Sequence, residues 1–275
     1  MYKITNWEAE AENISKWLKE YADKNGIKTL VVGISGGIDS AVVARLCENT
    51  GLRTIGIFMP LDILEEERIS DLVDAVFENS KMEYWQYNIG PMVDCYKDHK
   101  AWKFADTDNP TRGGADPIKL FDSRLGEGNL RARIRANILY EIAGTNQGLV
   151  VGTDNYDESM LGYCTKGGDG LIDILPISSY HKSQVYQLAK TKTLHVSQKN
   201  IDVVPSANLW EGQTDEGELG MTYADIELAF DVYDGIIFPE QPLSKRFEEV
   251  YAKVLKMMKN SAHKRALPPS YIPRT

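Results

Sequence analysis

The sequence predicts an α/β fold in which a parallel sheet lies between layers of helices. Short, continuously apolar runs alternate with segments of helical periodicity, the pattern of strand–helix–strand units. The apolar runs lack the polar alternation of a sheet with one face in water, which indicates strands buried on both faces. Loops rich in Gly, Ser, Thr and Asp follow two of the runs, at 33–40 and 152–158. Ligands of α/β proteins bind at such strand ends.

The first half of the chain supplies three predicted strands and the helices between them. An amphipathic helix opens the chain, and Thr5 and Glu8 have the spacing of a capping box at its start. The strands are short apolar runs bounded by turn residues, and they cover 29–34, 53–59 and 84–89. The helices between them cover 39–48 and 65–79.

The second half continues the alternation and then becomes helical. A long helix from about Arg124 to Ala143 precedes a fourth strand at 148–152. Later helices are expected at 181–190, 222–233 and 243–259. The polar stretches at 98–116 and 211–220 are expected to be loops, the second closing over the site. No repeat and no Pro/Gly/Ser-rich linker divides the chain, so we expect a single domain over 1–275.

Composition narrows the class of protein. The chain has 275 residues, of which 43% are hydrophobic and 26% charged, values typical of a soluble globular protein. A net charge of −9 argues against a nucleic-acid partner. Three widely spaced cysteines without a C-x-x-C pattern fit a reducing compartment. Because the sequence shows no signal peptide and no spanning apolar run, we expect a cytoplasmic location and no membrane partner.

The first Gly-rich loop has the chemistry of a phosphate-binding site. It comprises Gly33, Ile34, Ser35, Gly36, Gly37, Ile38, Asp39 and Ser40. Glycines let a ligand approach the backbone, the following helix offers free N–H groups, and the serines add hydroxyl donors. The loop is not a Walker A motif, because no Gly-Lys-Ser/Thr ends it. Asp39 in place of a cation favours Mg²⁺ between carboxylate and phosphates, or else it merely stabilises the helix N-terminus.

With this loop the sequence resembles the ATP pyrophosphatase superfamily, whose fold is called adenine nucleotide alpha hydrolase-like. The resemblance implies that ATP is a co-substrate cleaved between its α and β phosphates. The loop would hold the departing pyrophosphate while AMP is transferred to a substrate oxygen. This resemblance indicates the type of reaction and leaves the substrate open.

Motifs in the second half extend the resemblance. They are Gly-Thr-Asp at 152–154, Glu158, Thr-Lys-Gly-Gly-Asp-Gly at 165–170, Asp-Ile-Leu-Pro at 173–176, Lys182, Pro-Ser-Ala-Asn-Leu at 205–209 and His-Lys-Arg at 263–265. In this order, from about residue 4 to 269, the string resembles the NAD synthetase family. The resemblance implies ATP-dependent amidation of nicotinic acid adenine dinucleotide (deamido-NAD) to NAD⁺, through an adenylated intermediate, in a homodimer. The length favours free ammonia over a fused glutaminase as nitrogen source.

The same resemblance implies roles for individual residues. Those implied for ATP are the 33–40 loop, Thr153, Lys182 and Ser206, and those for Mg²⁺ are Asp39 and Glu158. Those implied for deamido-NAD are Arg133, Lys166, Asp173, His263 and Lys264. Lys182 and Asp173 are the expected catalytic residues. Bland alternatives are that Lys182 is a solvated first-turn lysine and Glu158 a surface helix residue.

The sequence departs from the family pattern at two points. Ser206 replaces the usual Thr, which keeps the hydroxyl group, and Asn155-Tyr156-Asp157 replaces a His-Ala-Ala segment common in bacterial members. Two other classes of function share the first loop. One is a transfer-RNA-modifying enzyme, which the acidic charge disfavours, and the other is a non-catalytic nucleotide sensor, which would not need Glu158 and Lys182.

Overall fold

The computed structural model describes residues 4–98, 124–206, 212–238 and 244–271. Four strands form a parallel sheet in the order β3-β2-β1-β4. Their bounds are β1 Thr29–Ile34, β2 Arg53–Phe58, β3 Glu83–Gln86 and β4 Gly148–Val151. This sheet and the helices around it confirm the predicted fold class.

Helices follow each strand and make up the rest of the described chain. In the first half they are α1 Trp7–Lys24, α2 Ile38–Glu48, α3 Ile63–Phe77, α4 Gly90–Lys97 and α5 Arg124–Thr145. In the second half they are α6 Tyr156–Leu161, α7 Lys182–Ala189, α8 Gln198–Asp202, α9 Asp215–Leu219, α10 Tyr223–Tyr233 and α11 Lys245–Ser261. A short 3₁₀ turn, Ala262–Lys264, follows α11. None of the helices in the described ranges has the length and apolarity needed to cross a membrane.

Both faces of the sheet are covered, as the apolar strands require. Along β1, Leu30 and Val32 belong to a buried cluster with α1, α2 and α7, whereas Val31 belongs to a cluster with α4 and α5. These three side chains are fully buried, and each such burial is worth about 1.5–3 kcal/mol. The alternation of side chains along a strand therefore places one helical layer on each face.

A third apolar cluster joins α6 to the helices near the end of the chain. Phe230 of α10 and Val254 of α11 are fully buried there, together with Leu161 at the end of α6. This packing fixes α6, which is too short to be stable alone. Since α6 directly follows β4, the cluster supports the loop at the carboxyl end of that strand.

Local differences from the sequence prediction occur at two element ends. The helix α1 begins at Trp7 with Asn6 as its N-cap, since Asn6 Oδ1 accepts a hydrogen bond from the Ala9 N–H at 3.1 Å. The predicted Thr5–Glu8 capping box is therefore wrong. Glu8 instead accepts hydrogen bonds from the backbone of Lys192 and Thr193. The third strand is shorter than the predicted 84–89, and residues 99–116 lie outside the described part of the chain.

The strand order creates a crevice beside β1. The chain passes from β1 to β2 and β3 on one side, then returns to β4 on the other side of β1. The loops that follow β1 and β4 therefore lead away from each other, which opens a crevice at the carboxyl ends of these two strands. Both loops that the sequence singled out, 33–40 and 152–158, lie at this crevice.

Gly36 shows how tightly the first loop is packed, and it provides a test of the fold. Its φ is +79°, and an added Cβ would lie 2.8 Å from Leu72 Cβ of α3. We expect Gly36→Ala to reduce the free energy of unfolding by about 2–4 kcal/mol, through backbone strain and overpacking. Gly26→Ala is the matched control, because Gly26 has φ +70° with no atom within 4 Å of the added Cβ. Urea unfolding should show a smaller loss for Gly26→Ala, and equal losses would contradict the packing argument.

Candidate active site

The phosphate-binding loop runs from the end of β1 into α2, and its hydroxyl groups hold its shape. Ser40 Oγ donates to the Gly37 carbonyl at 2.9 Å and accepts from the Ser35 N–H at 3.3 Å. Ser35 Oγ accepts from the Gly37 N–H at 3.3 Å. Gly37 is the N-cap of α2 and supplies no capping side chain, so the first N–H groups of this helix remain available for an anion.

Asn200 fixes the same loop from outside, and no sequence pattern indicates this role. Its side chain is fully buried, and Nδ2 donates to the carbonyls of Gly36 and Leu72, each at 2.8 Å. The amide thus joins the loop to α3 and α8. Because Asn200 is 164 positions away from Gly36, no local pattern could have indicated this contact.

Lys182 joins the two loops at the crevice. Its Nζ donates to Asp39 Oδ2, and it lies 3.3 Å from Glu158 Oε1. The side chain is only 3% exposed, so the alternative of a solvated lysine is wrong. Asp39 is also held by Asn155, whose Nδ2 donates to Oδ1 at 3.2 Å. The sequence-predicted pair Asp39 and Glu158 therefore shares one ammonium group.

Glu158 lies in a polar network with only 13% of its side chain exposed, so the alternative of a surface helix residue is also wrong. Its carboxylate accepts from the Tyr223 hydroxyl at 3.1 Å and from the Asn155 N–H at 3.2 Å. Asn155 Oδ1 in turn accepts from the Glu158 N–H at 3.0 Å, which completes a capping box at the start of α6. The sequence thus placed Glu158 in the site without showing its two neighbours.

Burial shifts the protonation of this cluster. It raises the pKa of Glu158 to about 7, against the opposing effect of Lys182, and the charges of Asp39 and Asp215 raise it further. For Lys182, burial lowers the pKa, but the charges of Asp39 and Glu158 outweigh it and raise the pKa well above its ordinary value. Lys182 therefore stays cationic at neutral pH, whereas Glu158 is ready to exchange a proton.

Three further carboxylates, Asp154, Asp169 and Asp215, line the same cavity. Burial raises the pKa of Asp154 well above its ordinary value, and the nearby charges of Asp169 and Glu158 raise it further. Such a surplus of carboxylates repels a polyphosphate unless cations accompany it. Carboxylate oxygens are the hard ligands that Mg²⁺ takes in proteins, so the donor set fits this metal.

Part of the cavity lining is apolar. Met59, Ile69 and Leu139 contribute to it beside Gly33, whose added Cβ would touch Leu139 and Met59 at 3.6 and 3.7 Å. Arg135 also lines the cavity, and its Nε donates to the Met59 carbonyl at 3.0 Å, with Glu65 as its ion-pair partner. A cavity whose lining includes both apolar and charged side chains can hold both the base and the phosphates of a nucleotide.

Four of the residues implied for the second substrate form a basic surface next to the cavity. Arg133 Nε donates to the Lys166 carbonyl at 3.3 Å, and Lys166 Nζ donates to the His263 carbonyl at 3.1 Å. Lys264 Nζ donates to the carbonyl of Gly162 at 2.7 Å. Thr165 and Gly168 of the same segment line the cavity. The fold therefore brings together residues from three distant parts of the chain that the sequence analysis had grouped.

The remaining predicted residues divide into two groups. Thr153 and Ser206 line the cavity with Lys182. Asp173 is exposed, and it is not one of the described residues that line the cavity. Its carboxylate accepts from the Tyr140 hydroxyl at 3.0 Å and from the Val150 N–H at 2.8 Å. The structure thus places Asp173 on the edge of β4 and does not bring it to Lys182.

Comparison with known proteins agrees with this geometry. The family model described as NAD synthase matches residues 10–268. The chain belongs to the NAD synthase family. A relative named NH(3)-dependent NAD(+) synthetase from Alkaliphilus oremlandii is 37% identical, over 96% of this chain and 97% of its own. One of the same name from Thermoplasma acidophilum is 38% identical, over 94% and 95%.

A solved structure of similar fold carries a different name. It is described as NMN synthetase from Francisella tularensis, with a TM-score of 0.77 and 31% identity, over 98% of this chain and 99% of that one. The names of the curated relatives and of this neighbour therefore indicate products of different size.

The raised pKa of Asp154 predicts that its ionised carboxylate destabilises the folded protein. A carboxyl group whose pKa is raised in the folded state destabilises that state as pH rises above the ordinary pKa of the unfolded chain. We expect Asp154→Asn to raise the Tm of the ligand-free protein by roughly 2–4 °C at pH 8, about 1 kcal/mol for a chain of this size, and by less at pH 5. Calorimetry at the two pH values measures this, and a gain that grew toward acid pH would contradict it.

Proposed function

We propose that this protein catalyses the ATP-dependent amidation of deamido-NAD with ammonia, which yields NAD⁺, AMP and pyrophosphate in NAD biosynthesis. The observation that carries the proposal is the buried Lys182 between Asp39 and Glu158, next to the phosphate-binding loop, in a chain of the NAD synthase family. The names of the ammonia-dependent relatives support ammonia as the nitrogen source.

The first half-reaction activates a poor electrophile. A carboxylate oxygen of the nicotinate attacks the α-phosphorus of ATP, and the bond from this phosphorus to the pyrophosphate oxygen breaks. Negative charge accumulates on the departing pyrophosphate. The Lys182 ammonium and the free N–H groups at the start of α2 are fixed in advance and stabilise that charge.

The second half-reaction forms the amide. Ammonia attacks the acyl carbon of the adenylate, the bond to the AMP oxygen breaks, and the nitrogen loses a proton. An acyl adenylate is hydrolysed if water reaches it, so the cavity must exclude solvent during this step. The segment 211–220, proposed to close over the site, includes α9 with the buried Asp215.

Asp39 and Glu158 are the residues proposed to hold Mg²⁺. When bound, the metal supplies positive charge that neutralises the polyphosphate. In the structure, the Lys182 ammonium contacts both carboxylates and offsets part of their negative charge. The proposal explains why a phosphate-binding site contains acidic residues at all.

We also propose a homodimer, because large apolar side chains are exposed around α4 and α5. Tyr96 of α4 is 48% exposed and Leu125 of α5 is 62% exposed, while Tyr84 and Trp85 are exposed on the edge strand β3. Exposed large apolar side chains of this kind are candidates for a protein–protein interface, and the resemblance to the family implies a homodimer. A single catalytic unit over the whole chain and a cytoplasmic location stay predictions, which gel filtration, limited proteolysis and cell fractionation test.

A second candidate substrate is nicotinic acid mononucleotide, which the name of the Francisella tularensis neighbour favours. Its amidation would use the same nucleotide-activating residues and would produce NMN. The basic surface formed by Arg133, Lys166 and Lys264 favours deamido-NAD, since the dinucleotide has additional phosphate to bind there.

A matrix of substrates tests the proposed function. Purified protein is mixed with ATP, Mg²⁺, either ammonium or glutamine, and either deamido-NAD or nicotinic acid mononucleotide, and pyrophosphate and amide products are measured. We expect rapid turnover with ammonium and deamido-NAD and little with glutamine. A higher kcat/KM with nicotinic acid mononucleotide than with deamido-NAD would show that the mononucleotide is the substrate. Absence of amidation, with ATP bound, would favour the sensor, and adenylation of transfer RNA would favour the modifying enzyme.

The pKa of Glu158 predicts how metal affinity depends on pH. Because a ligand carboxylate must be ionised, a pKa of about 7 means that protons compete with Mg²⁺ below neutral pH. At fixed ATP, we expect the apparent affinity for Mg²⁺ to fall by about fivefold between pH 7 and pH 6 and to level off above pH 8. Glu158→Gln is the matched control, since ATP titrates equally in both samples, and an unchanged slope in this variant would contradict the assignment.

A further inference from the structure

A buried, hydrogen-bonded carboxylate–imidazole pair adjoins Lys182, and the proposed reaction does not use it. Asp157 of α6 is fully buried, and His181, which precedes α7, is almost fully buried. The Nδ1 atom of His181 lies 2.5 Å from Asp157 Oδ1. Asp157 belongs to the segment where the sequence departs from the bacterial family pattern.

The other oxygen of Asp157 holds the backbone of Lys182. Asp157 Oδ2 accepts a hydrogen bond from the Lys182 N–H at 2.8 Å. The next residue, Glu158, holds the other end of Lys182, because its Oε1 lies 3.3 Å from Nζ. Two consecutive carboxylates on α6 therefore fix both the backbone and the ammonium group of the same lysine.

The surroundings of His181 hold its ring in one orientation. The ring meets Tyr156 edge-on, with centroids 5.1 Å apart, and lies nearly parallel to Phe230 at 6.3 Å. Its Nε2 faces Asp231 Oδ1 at 3.7 Å, and the charge of Glu227 is also close enough to act on it. Burial lowers the pKa of His181, but the hydrogen bond with Asp157 and these charges together raise it.

We propose that Asp157 and His181 are positioning residues that fix Lys182 for adenylation. The inference rests on the proposed function, in which Lys182 stabilises the charge of the departing pyrophosphate. A charge contributes to catalysis through its placement before the reaction, and small displacements are costly. His181 orients Asp157, Asp157 anchors the first N–H of α7, and the anchored helix sets the direction of the lysine side chain.

A metal site is the competing interpretation of the same residues. Ligand atoms of Asp157, His181 and Glu227 lie within 4.8 Å of one another. The contacts favour the positioning role, because Asp157 Oδ1 is already bonded to Nδ1 of the ring. Both oxygens of Glu227 accept from Ser183, one from its N–H and one from its hydroxyl.

The kinetic test compares two carboxylates that each accept from a backbone N–H in the first turn of α7. We expect Asp157→Ala to lower kcat by 10- to 100-fold and to change the KM for ATP by less than threefold. Asp157→Asn, which keeps an acceptor for the Lys182 N–H, should recover part of the loss. Glu227→Gln is the matched control, because Glu227 accepts from the neighbouring Ser183 N–H, and its kcat should stay within twofold.

Hydrogen exchange tests the same inference without turnover. In folded Asp157→Ala or, if that variant fails to fold, in His181→Gln, the Lys182 amide should exchange at least tenfold faster than in the unaltered protein, with Ser183 unchanged. Equal acceleration of both amides, or an unaltered kcat in folded Asp157→Ala, would overturn the proposal. Stoichiometric metal that is lost in His181→Gln would replace it with a metal site. Lack of amidation by the unaltered protein would refute the proposed function alone, since the exchange result is independent of activity.

Discussion

The contact of the Lys182 ammonium with Asp39 and Glu158 is the interaction on which the rest of the site depends. Asp39 follows β1 and Glu158 follows β4, so the lysine joins the two loops that the strand order separates. Two partly buried carboxylates without this cation would repel each other and lose hydration. The loop hydroxyls, the amide of Asn155 and the hydroxyl of Tyr223 then complete a network around the ion cluster.

The features that could be predicted from the sequence are those that depend on residues close together in the chain. Strands β1, β2 and β4 were located to within one residue, because strands buried on both faces are continuous apolar runs. The phosphate-binding loop was evident from its glycines and serines. Lys182 and Glu158 were assigned to the site from the order of the family motifs, and both line the cavity. Asp173 was assigned to the site in the same way, yet its carboxylate accepts a hydrogen bond from the Val150 N–H of β4.

The features that the sequence did not reveal are contacts between distant residues. Asn200 acts on Gly36, and Arg135 acts on Met59, across more than 70 positions in each case. Glu8 has the spacing of a capping residue, but a tertiary contact with Thr193 takes its carboxylate instead. Buried polar groups need partners wherever the fold supplies them, so a single sequence shows that Asp157 is unusual without showing that His181 is its partner.

The surplus of carboxylates in the cavity also determines which form of a nucleotide can enter. Asp154, Asp169 and Asp215 add carboxyl groups beyond the two that Lys182 contacts. When these groups are ionised, a free polyphosphate meets repulsion that a metal-complexed one does not. Under the proposed function, the carboxylates would therefore favour the metal complex over the bare nucleotide. The same repulsion assists departure of a product that has lost its cation, so turnover in a cell would follow the free concentration of divalent ions as well as that of ATP.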